Sequence, residues 1–349
     1  MHILSAQSAF PENYYTQQVL LGALKAYWSG SLDHPEILDR LHVRACVDGR
    51  YLAYPVEQYF DLETFGDFNR AWFAAAEQLA ETALHGALAR AGLTVSDLGA
   101  IFFVTVTGVA SPTIDARLVN RMGLPNSIRR TPIFGLGCVA GAAGISRAAD
   151  YVKAYPNQVA ALVSVELCSL TLQKTDLSVA NLISSGLFGD GAAAVLIGGS
   201  AVARTGPRVV ATQSSFYPGT ENVMGWDITE KGFRIVLSPE VPSVIRQHLA
   251  SDADRFLAEN GLTRADISSW ILHTGGPKVL EATQDALGIT AEALQASWDC
   301  LRTVGNLSSA SVLCVLEHFM EKKRPEPGTW SILAAMGPGF CSELVLLQW

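Results

Sequence analysis

One segment of the sequence occurs twice, and this duplication constrains the fold more than any other feature. Gly92-Leu-Thr-Val-Ser-Asp97-Leu precedes an apolar run, and Gly261-Leu-Thr-Arg-Ala-Asp266-Ile precedes a second apolar run 169 positions later. Because turn residues and an apolar run recur together, we predict two copies of one supersecondary unit.

A second correspondence lies further along both copies. Gly137-Cys138 is followed by a run of small residues, and 168 positions later Gly305-Asn306 is followed by Leu-Ser-Ser-Ala-Ser. Small side chains allow two helix backbones to approach closely in a core. The pattern in each copy therefore predicts the same elements in the same order. These are an amphipathic helix, a buried strand, a Gly-led turn into a helix of small residues, another strand and a closing hairpin. We predict an α/β fold of two pseudo-symmetric halves, 1–205 and 206–349, layered α-β-α-β-α.

Apolar periodicity supports this layering. In the first copy, apolar residues at three- and four-residue steps predict a helix that covers one face of a sheet and ends at Gly92. These residues are Trp72, Phe73, Ala76, Leu79, Ala80, Ala83, Leu84, Ala87 and Leu88. The segments 159–166, 192–197, 330–335 and 344–348 are apolar without alternation, as expected of strands buried on both faces.

Composition restricts the class of protein. Hydrophobic residues make up 49% of the chain and charged residues 17%, which favours a large core and an apolar subunit interface, so we expect a homodimer. A net charge of −8 argues against nucleic acid as a partner. No apolar run approaches the ~20 residues of a membrane span and no secretory signal is present, so we expect a cytoplasmic protein without membrane insertion. The six cysteines form no metal-ligand pattern.

Cys138 is the first candidate catalytic residue. It lies at the predicted start of a helix, where unpaired backbone N–H groups and the helix dipole favour a thiolate. A thiolate is a nucleophile and can carry an acyl group. The alternative is a structural cysteine, because free cysteine is among the residue types most often buried.

His273 and Asn306 favour the catalytic interpretation. His273 ends a buried strand and precedes Thr-Gly-Gly-Pro, so its ring is expected to project where the backbone turns. Asn306 occupies the position symmetric to Cys138, and its NH2 group offers two donors that could hold an oxyanion. A single histidine in this position is usually a satisfied core group. Together, Cys, His and Asn form a site for carbon–carbon bond formation from thioesters.

Six motifs then resemble those of the type III polyketide synthases, in the same order and over nearly the whole chain. They are Gly137-Cys138-Val-Ala-Gly141, Leu187-Phe-Gly-Asp-Gly-Ala192, Gly232-Phe233-Arg, His273-Thr-Gly-Gly-Pro-Lys278, Gly305-Asn306-Leu-Ser-Ser-Ala310 and Gly337-Pro-Gly339. The resemblance implies a thiolase fold. It also implies that Cys138 forms the acyl-enzyme and that His273 and Asn306 stabilise the enolate formed when malonyl-CoA loses CO2. Thr274 departs from the proline usual in the family.

The resemblance further implies residues that contact substrates. Phe188 and Phe233 match two phenylalanines that gate the family's cavity, although core packing is the alternative for each. Cys168, Thr171 and Met224 are expected to line an acyl cavity, because their surroundings resemble bacterial alkylpyrone and alkylresorcinol synthases. Ser111 matches a larger residue that reaches across the dimer in plant enzymes. The other predicted substrate-binding residues are Thr107, Glu166 and Ser308.

Acyl-CoA and malonyl-CoA are the expected substrates, and they need cations near the entrance. Arg44, Arg50 and Lys278 are candidates, together with Gly275 and Gly276 beside Lys278, although a solvated surface charge is the alternative for each cation. We expect no metal, because the cysteines lack metal-ligand spacing. We also expect no cofactor, because strand residues follow the loose dinucleotide-like motif Gly189-Asp-Gly191-Ala-Ala-Ala194 where a helix would be needed.

The function expected from this resemblance is that of a type III polyketide synthase with a fatty acyl starter and an alkylpyrone or alkylresorcinol product. One alternative is a β-ketoacyl carrier-protein synthase III, which condenses once, although His-Thr-Gly-Gly-Pro differs from its usual His-Gln-Ala-Asn string. The other is a binding protein that kept the fold and lost the activity.

Overall fold

The computed structural model describes residues 1–32, 34–203 and 205–349. Its strands are β1 (His2–Ala9), β2 (Asn13–Thr16), β3 (Gly49–Leu52), β4 (Leu98–Thr105), β5 (Arg129–Phe134), β6 (Val159–Leu167), β7 (Asp190–Gly198), β8 (Arg208–Phe216), β9 (Met224–Thr229), β10 (Gly232–Leu237), β11 (Ile267–Leu272), β12 (Trp330–Gly337) and β13 (Cys341–Gln348). Its helices are α1 (Gln17–Tyr27), α2 (Glu36–Arg44), α3 (Phe65–Ala91), α4 (Ile114–Met122), α5 (Ala140–Ala154), α6 (Val179–Leu187), α7 (Val241–Glu259), α8 (Pro277–Leu287), α9 (Gln295–Val304) and α10 (Ser311–Glu321).

Nine of these strands form one mixed sheet in the order β11-β12-β13-β8-β1-β7-β6-β4-β5. Its two halves meet through a single residue pair, His2 of β1 with Arg208 of β8. Two small antiparallel pairs, β2 with β3 and β9 with β10, lie outside it. The sheet is therefore two half-sheets joined at one point.

The two half-sheets repeat the same pairing. β4 is parallel to β6 and β6 antiparallel to β7, just as β11 is parallel to β12 and β12 antiparallel to β13. β1 then joins β7 as β8 joins β13. Before β4 and β11, short 3₁₀ turns carry matching capping boxes, Thr94 with Asp97 and Thr263 with Asp266. The predicted duplication is thus confirmed.

α5 and α10 lie between the half-sheets and contact strands of both. Small residues make this close packing possible, since a Cβ built on Gly141 of α5 would lie 2.3 Å from the Ser309 carbonyl oxygen. α3 covers the outer face of β1, β6 and β7, and α7 and α8 pack on the outer face of the second half. The five-layered thiolase-type fold is confirmed.

Some boundaries differ from those predicted. α3 extends further at its N-terminus because Thr64 and Asp67 form a capping box, and it ends at Gly92, whose φ is 61°. α5 begins at Ala140, after a 3₁₀ turn that contains Cys138, and α10 begins at Ser311, several residues after Asn306. Cys138 and Asn306, the two candidate catalytic residues, therefore lie in the turns that lead into the central helices.

The predicted boundary at 205/206 falls in the segment that joins β7 to β8. That the halves are separate domains stays a prediction. Within the described part of the chain, no helix combines the length and the apolarity that crossing a membrane requires.

Candidate active site

Cys138, His273 and Asn306 all line one cavity of about 370 Å³. Cys138 comes from the turn before α5, His273 from the end of β11, and Asn306 from the turn before α10. The two halves each supply part of the site, because the central helices begin at the same end of the molecule. The convergence predicted for the three residues is therefore present in the structure.

Cys138 is buried, and its thiol donates a hydrogen bond to the Ser308 hydroxyl, with Sγ and Oγ 3.7 Å apart. Burial raises the pKa of Cys138 to about 12, and the hydrogen bond to Ser308 only partly offsets this. The thiolate that we predicted from helix position is therefore not a property of Cys138 alone. It requires a partner that takes the proton.

His273, which lines the same cavity, is the candidate partner. Its backbone N–H binds the carbonyl oxygen of Ala334 (3.0 Å), and its ring is buried. Burial lowers the pKa of His273 to about 4, so the imidazole is neutral and can accept a proton. Its Nδ1 has no hydrogen-bond partner among the described residues. Moving the thiol proton to His273 would create a thiolate and an imidazolium. Each charge would then stabilise the other and offset the free-energy cost of burying it.

This coupling gives a testable pH dependence. We expect His273→Gln to raise the apparent pKa of Cys138, because burial would then act without a compensating imidazolium. At pH 8, iodoacetamide alkylation of Cys138 should slow by at least about tenfold, the equivalent of one pKa unit. Peptide mapping measures the rate, and the exposed Cys46 in the same digest is the control. Superimposable pH profiles of the variant and the wild type would show that the two groups are not coupled.

Hydrogen bonds fix the Asn306 side chain through its oxygen and leave its NH2 group free to bind a substrate. Its Oδ1 accepts the Ser308 backbone N–H (2.8 Å) and, more weakly, the Ser311 hydroxyl (3.4 Å). The amide NH2 donates no hydrogen bond within the described chain, and Asn306 lines the catalytic cavity. Two donors therefore face a site where an oxyanion can form.

Thr274, which differs from the expected proline, connects the two halves of the site. Its hydroxyl donates to Ser311 Oγ (2.9 Å), and Ser311 Oγ also accepts the Leu307 N–H (2.8 Å). The loop that carries His273 is thus bonded to the turn that carries Asn306. Proline could not make this contact.

Glu166 lies buried behind the catalytic cavity. Its carboxylate accepts hydrogen bonds from Ser309, Thr107 (2.9 Å) and the Val106 N–H (3.1 Å). Burial raises the pKa of Glu166 to about 7 although these bonds oppose the shift, so the group can give or take a proton near neutrality. Neither Thr107 nor Glu166 lines the two cavities described here, so their predicted contact with substrate is not visible in the structure.

A second, larger cavity of about 860 Å³ adjoins the first, and Phe188 lines both. Cys168 and Thr171 line the larger cavity, whereas Met224 lines the catalytic one. The residues predicted for one acyl cavity are therefore divided between two. Phe188 therefore lies where the two spaces meet.

The structure does not bring Phe233 or Ser111 to either cavity. Phe233 is buried among aromatic rings, 5.5 Å from Phe65, 5.9 Å from Trp226 and 6.2 Å from Phe134 between centroids. Its position is that of the core-packing alternative, because its neighbours enclose it. Ser111 is exposed on the surface of the single chain.

The predicted CoA-binding residues fall into two groups. Arg44 ends α2 and Lys278 lies in the first turn of α8, both exposed, while Gly275 lines the catalytic cavity and Gly276 precedes α8. These positions are compatible with a CoA entrance. Arg50 is different, and its prediction as an entrance cation is corrected.

Arg50 is 3% exposed and donates to the carbonyl oxygens of Ser185 and Gly186 and to the side chain of Gln17. Burial lowers the pKa of Arg50 to about 10. Arg50 lines the larger cavity, but its guanidinium is bonded to the end of α6, so it does not offer a free charge at the surface.

Several cavity residues were not identified from the sequence. Leu237, which pairs with the predicted Met224 across the β9–β10 hairpin, lines the catalytic cavity, and the next pair on that face, Trp226 and Ile235, lines the larger one. Alternation along a hairpin is a signal that could have found them. Phe340 also lines the catalytic cavity and directly follows the Gly337-Pro-Gly339 motif.

No group of three His, Cys, Asp or Glu side chains suited to a metal ion occurs among the described residues. Independence from metals and cofactors stays a prediction.

A thiolase-type fold whose cysteine, histidine and asparagine open onto one cavity defines a condensing enzyme, an acyltransferase that works on thioesters. Family comparison then identifies the particular family. Residues 67–201 match the N-terminal domain and residues 208–349 the C-terminal domain of the chalcone and stilbene synthases. The chain belongs to this family and is a type III polyketide synthase.

Individual relatives agree with this assignment. The chain is 49% identical over 350 residues to the 1,3,6,8-tetrahydroxynaphthalene synthase of Streptomyces peucetius subsp. caesius, covering 99% of this chain and 93% of that one. It is 35% identical to a putative chalcone synthase of Bacillus subtilis strain 168, covering 87% and 86%. The crystal structure of 1,3,6,8-tetrahydroxynaphthalene synthase from Streptomyces coelicolor A3(2) superimposes with a TM-score of 0.95 at 32% identity, covering 100% and 99%.

The resemblance seen in the motifs is thus confirmed. The family match removes the β-ketoacyl carrier-protein synthase III alternative and the alternative of a protein without activity.

Proposed function

We propose that this enzyme condenses malonyl-CoA units on Cys138 and releases 1,3,6,8-tetrahydroxynaphthalene. The observation that supports this most is the single cavity shared by Cys138, His273 and Asn306, taken with 49% identity over 99% of the chain to a synthase of that name. This proposal replaces the fatty acyl starter as the first choice for the substrate.

The first step is loading of the starter. As the Cys138 sulfur attacks the thioester carbon of the acyl-CoA, His273 takes the thiol proton. The new bond joins Sγ to the acyl carbon, the bond from that carbon to the CoA sulfur breaks, and CoA leaves as its thiol after regaining a proton.

The second step is decarboxylative condensation. The malonyl-CoA thioester oxygen lies against His273 and the Asn306 NH2, which stabilise the charge as the bond to CO2 breaks and its electron pair forms the enolate. The enolate carbon then attacks the acyl carbon on Cys138, a carbon–carbon bond forms, and the bond to Sγ breaks. The product is a β-ketoacyl-CoA, two carbons longer, which can reload onto Cys138.

The size of the catalytic cavity supports a short starter. The catalytic cavity is the smaller of the two, about 370 Å³ against about 860 Å³. A naphthalene skeleton has ten carbons, which five two-carbon units supply, and no long acyl starter is needed. A compact chain of this length suits the smaller space.

The larger cavity favours a second candidate, the alkylpyrone or alkylresorcinol synthase with a fatty acyl starter. Apolar side chains such as Leu20, Leu24, Leu52 and Leu172 line it, and it adjoins the catalytic cavity at Phe188. An acyl tail of the starter could occupy this space if the ring of Phe188 moved aside. Cys168 and Thr171 would then contact the tail, as we predicted from the sequence.

One assay separates these candidates. The purified enzyme is given malonyl-CoA alone, and then malonyl-CoA with acyl-CoA starters of increasing length, and the products are identified by mass spectrometry and NMR. The proposal predicts tetrahydroxynaphthalene from malonyl-CoA alone. Alkylated products that appear only when a long starter is added would support the second candidate, and a single extension would contradict both.

The homodimer also stays a prediction. Ser111 and Pro112 are exposed in the single chain, as expected if this loop faces a second copy. Sedimentation equilibrium is expected to give about twice the chain mass of 37.4 kDa, and a monomer mass at micromolar concentration would contradict it. The cytoplasmic location and the entrance roles of Arg44 and Lys278 likewise stay predictions.

A further inference from the structure

Arg50 is a buried charge whose hydrogen bonds all go to neutral groups. Its two terminal nitrogens donate to the Gln17 side chain and to the backbone oxygens of Ser185 and Gly186, and its Nε has no partner among the described residues. Within the described chain it forms no salt bridge, although Asp190 lies near enough to favour its charge. Burying an ion without a close counter-ion costs several kcal/mol. If this position served only for packing, an apolar side chain would fill it at a lower free-energy cost.

The oxygens that Arg50 binds belong to the last turn of α6. The final carbonyls of a helix lack intrahelical partners and carry the negative end of the helix dipole, so a guanidinium there satisfies and stabilises that end. Phe188 is the next residue after α6 and lines both cavities. Arg50 is therefore bonded to the helix turn that directly precedes Phe188.

The same turn is bonded to the catalytic asparagine. The Asn306 N–H donates to the Leu187 carbonyl oxygen (2.9 Å), and the Gly189 N–H donates to the Asn306 carbonyl oxygen (3.0 Å). Arg50 packs against both of the segments that make this contact. A Cβ built on Gly189 would lie 3.1 Å from the Cβ of Arg50, and one built on Gly305 would lie 3.7 Å from it. Movement at the end of α6 is thus resisted on one side by Asn306 and on the other by Arg50.

We propose that Arg50 is a positioning residue: by clamping the end of α6 it holds Phe188 between the two cavities and so limits the length of acyl group that Cys138 accepts. The role in selecting acyl groups rests on the proposed function. The effect of Arg50 on access to Cys138, however, can be measured without enzyme turnover. If the bonds from Arg50 are removed, Phe188 moves more freely and the larger cavity becomes accessible from Cys138. Long acyl chains should then react faster at Cys138 relative to short ones.

The test compares two alkylating probes of different length at Cys138. N-ethylmaleimide and N-dodecylmaleimide are reacted with the wild type and with Arg50→Gln, Arg50→Lys, Phe188→Ala and the Arg50→Gln/Phe188→Ala double variant. The ratio of the long-probe to the short-probe rate is expected to rise about tenfold in Arg50→Gln, within the range that pocket contacts usually control. Arg50→Lys keeps the charge but loses the planar set of guanidinium donors, so its rate ratio is expected to lie between those of the wild type and Arg50→Gln.

The double variant distinguishes positioning from general loosening. If Arg50 acts through Phe188, Arg50→Gln should add nothing to the ratio once Phe188 is alanine. An unchanged ratio in Arg50→Gln, or a full additional effect in the double variant, would overturn the proposal. Arg324→Gln, an exposed arginine beyond α10, is the control and should behave as the wild type.

Two further measurements keep the result unambiguous. If Arg50→Gln does not fold, Gln17→Leu removes one bond of the clamp and should raise the ratio in the same direction. The same variants are then assayed for kcat/KM with acetyl-CoA and dodecanoyl-CoA as starters, where the long-to-short ratio should follow the maleimide ratio. If the wild type makes no product, the proposed function fails while the maleimide ratio still decides the role of Arg50.

Discussion

Cys138→Ala is expected to abolish the acyl-enzyme and to lower product formation by at least about a thousandfold, the scale on which loss of a nucleophile acts. The reason is that Cys138 is the thiol on the catalytic cavity shared with His273 and Asn306. Incubation with acyl-CoA followed by intact-protein mass spectrometry measures the adduct, and malonyl-CoA turnover measures the activity.

A matched control is available on α10. Cys314 is half-buried, accepts a hydrogen bond from Ser8 (3.1 Å) and lies outside both cavities. Cys314→Ala should therefore keep both the adduct and the turnover. An acyl adduct of unchanged occupancy on Cys138→Ala would place the nucleophile elsewhere, and Cys168, which lines the neighbouring cavity, would be the first residue to map.

Asn306→Ala is expected to slow decarboxylation of malonyl-CoA by about a hundred- to a thousandfold, the usual effect of removing one oxyanion donor. Loading of acyl groups onto Cys138 should persist, because that step needs the thiol and His273. Conversion of malonyl-CoA to acetyl-CoA measures the first effect, and intact mass measures the second. Equal losses in both steps would show that the variant damages the whole site.

The alanine variant also has a structural cost. It leaves the Ser308 N–H without the Oδ1 acceptor, and a buried donor without a partner costs about 1 to 3 kcal/mol. Asn306→Asp separates the two effects, since it keeps the acceptor and loses the NH2 donors. It should keep the contact with the Ser308 N–H and still fail to decarboxylate malonyl-CoA. Asn260→Ala, which removes a side chain bonded to Phe256 at the end of α7, is the control for stability alone.

Much of the fold followed from patterns that are local in the chain. The repeat of Gly92 and Gly261 predicted two equivalent units, and the pairing of β4, β6 and β7 against β11, β12 and β13 confirmed them. Strands buried on both faces are apolar throughout, so they can be recognised without knowing their neighbours.

The electrostatics of the site did not follow from position along the chain. A helix start predicted a thiolate at Cys138, but desolvation is set by everything that packs around the sulfur, and it raises the pKa instead. Arg50 shows the same limit. A single arginine on a short strand resembles a surface charge in the sequence, and only its burial and its bonds to the end of α6 in the structure show that it is enclosed.

The chain by itself determined which groups could react: a cysteine and an asparagine at equivalent turns of a duplicated unit, and a histidine at the end of a buried strand. Residue type and local spacing carry that information, because turns and strand ends are specified by near neighbours. Tertiary structure alone decided that Phe188 rather than Phe233 lies at the cavities, that two spaces adjoin there, and how burial sets the proton affinities of Cys138 and His273. Cavity shape and desolvation are sums over side chains distant in sequence, so no short motif contains them.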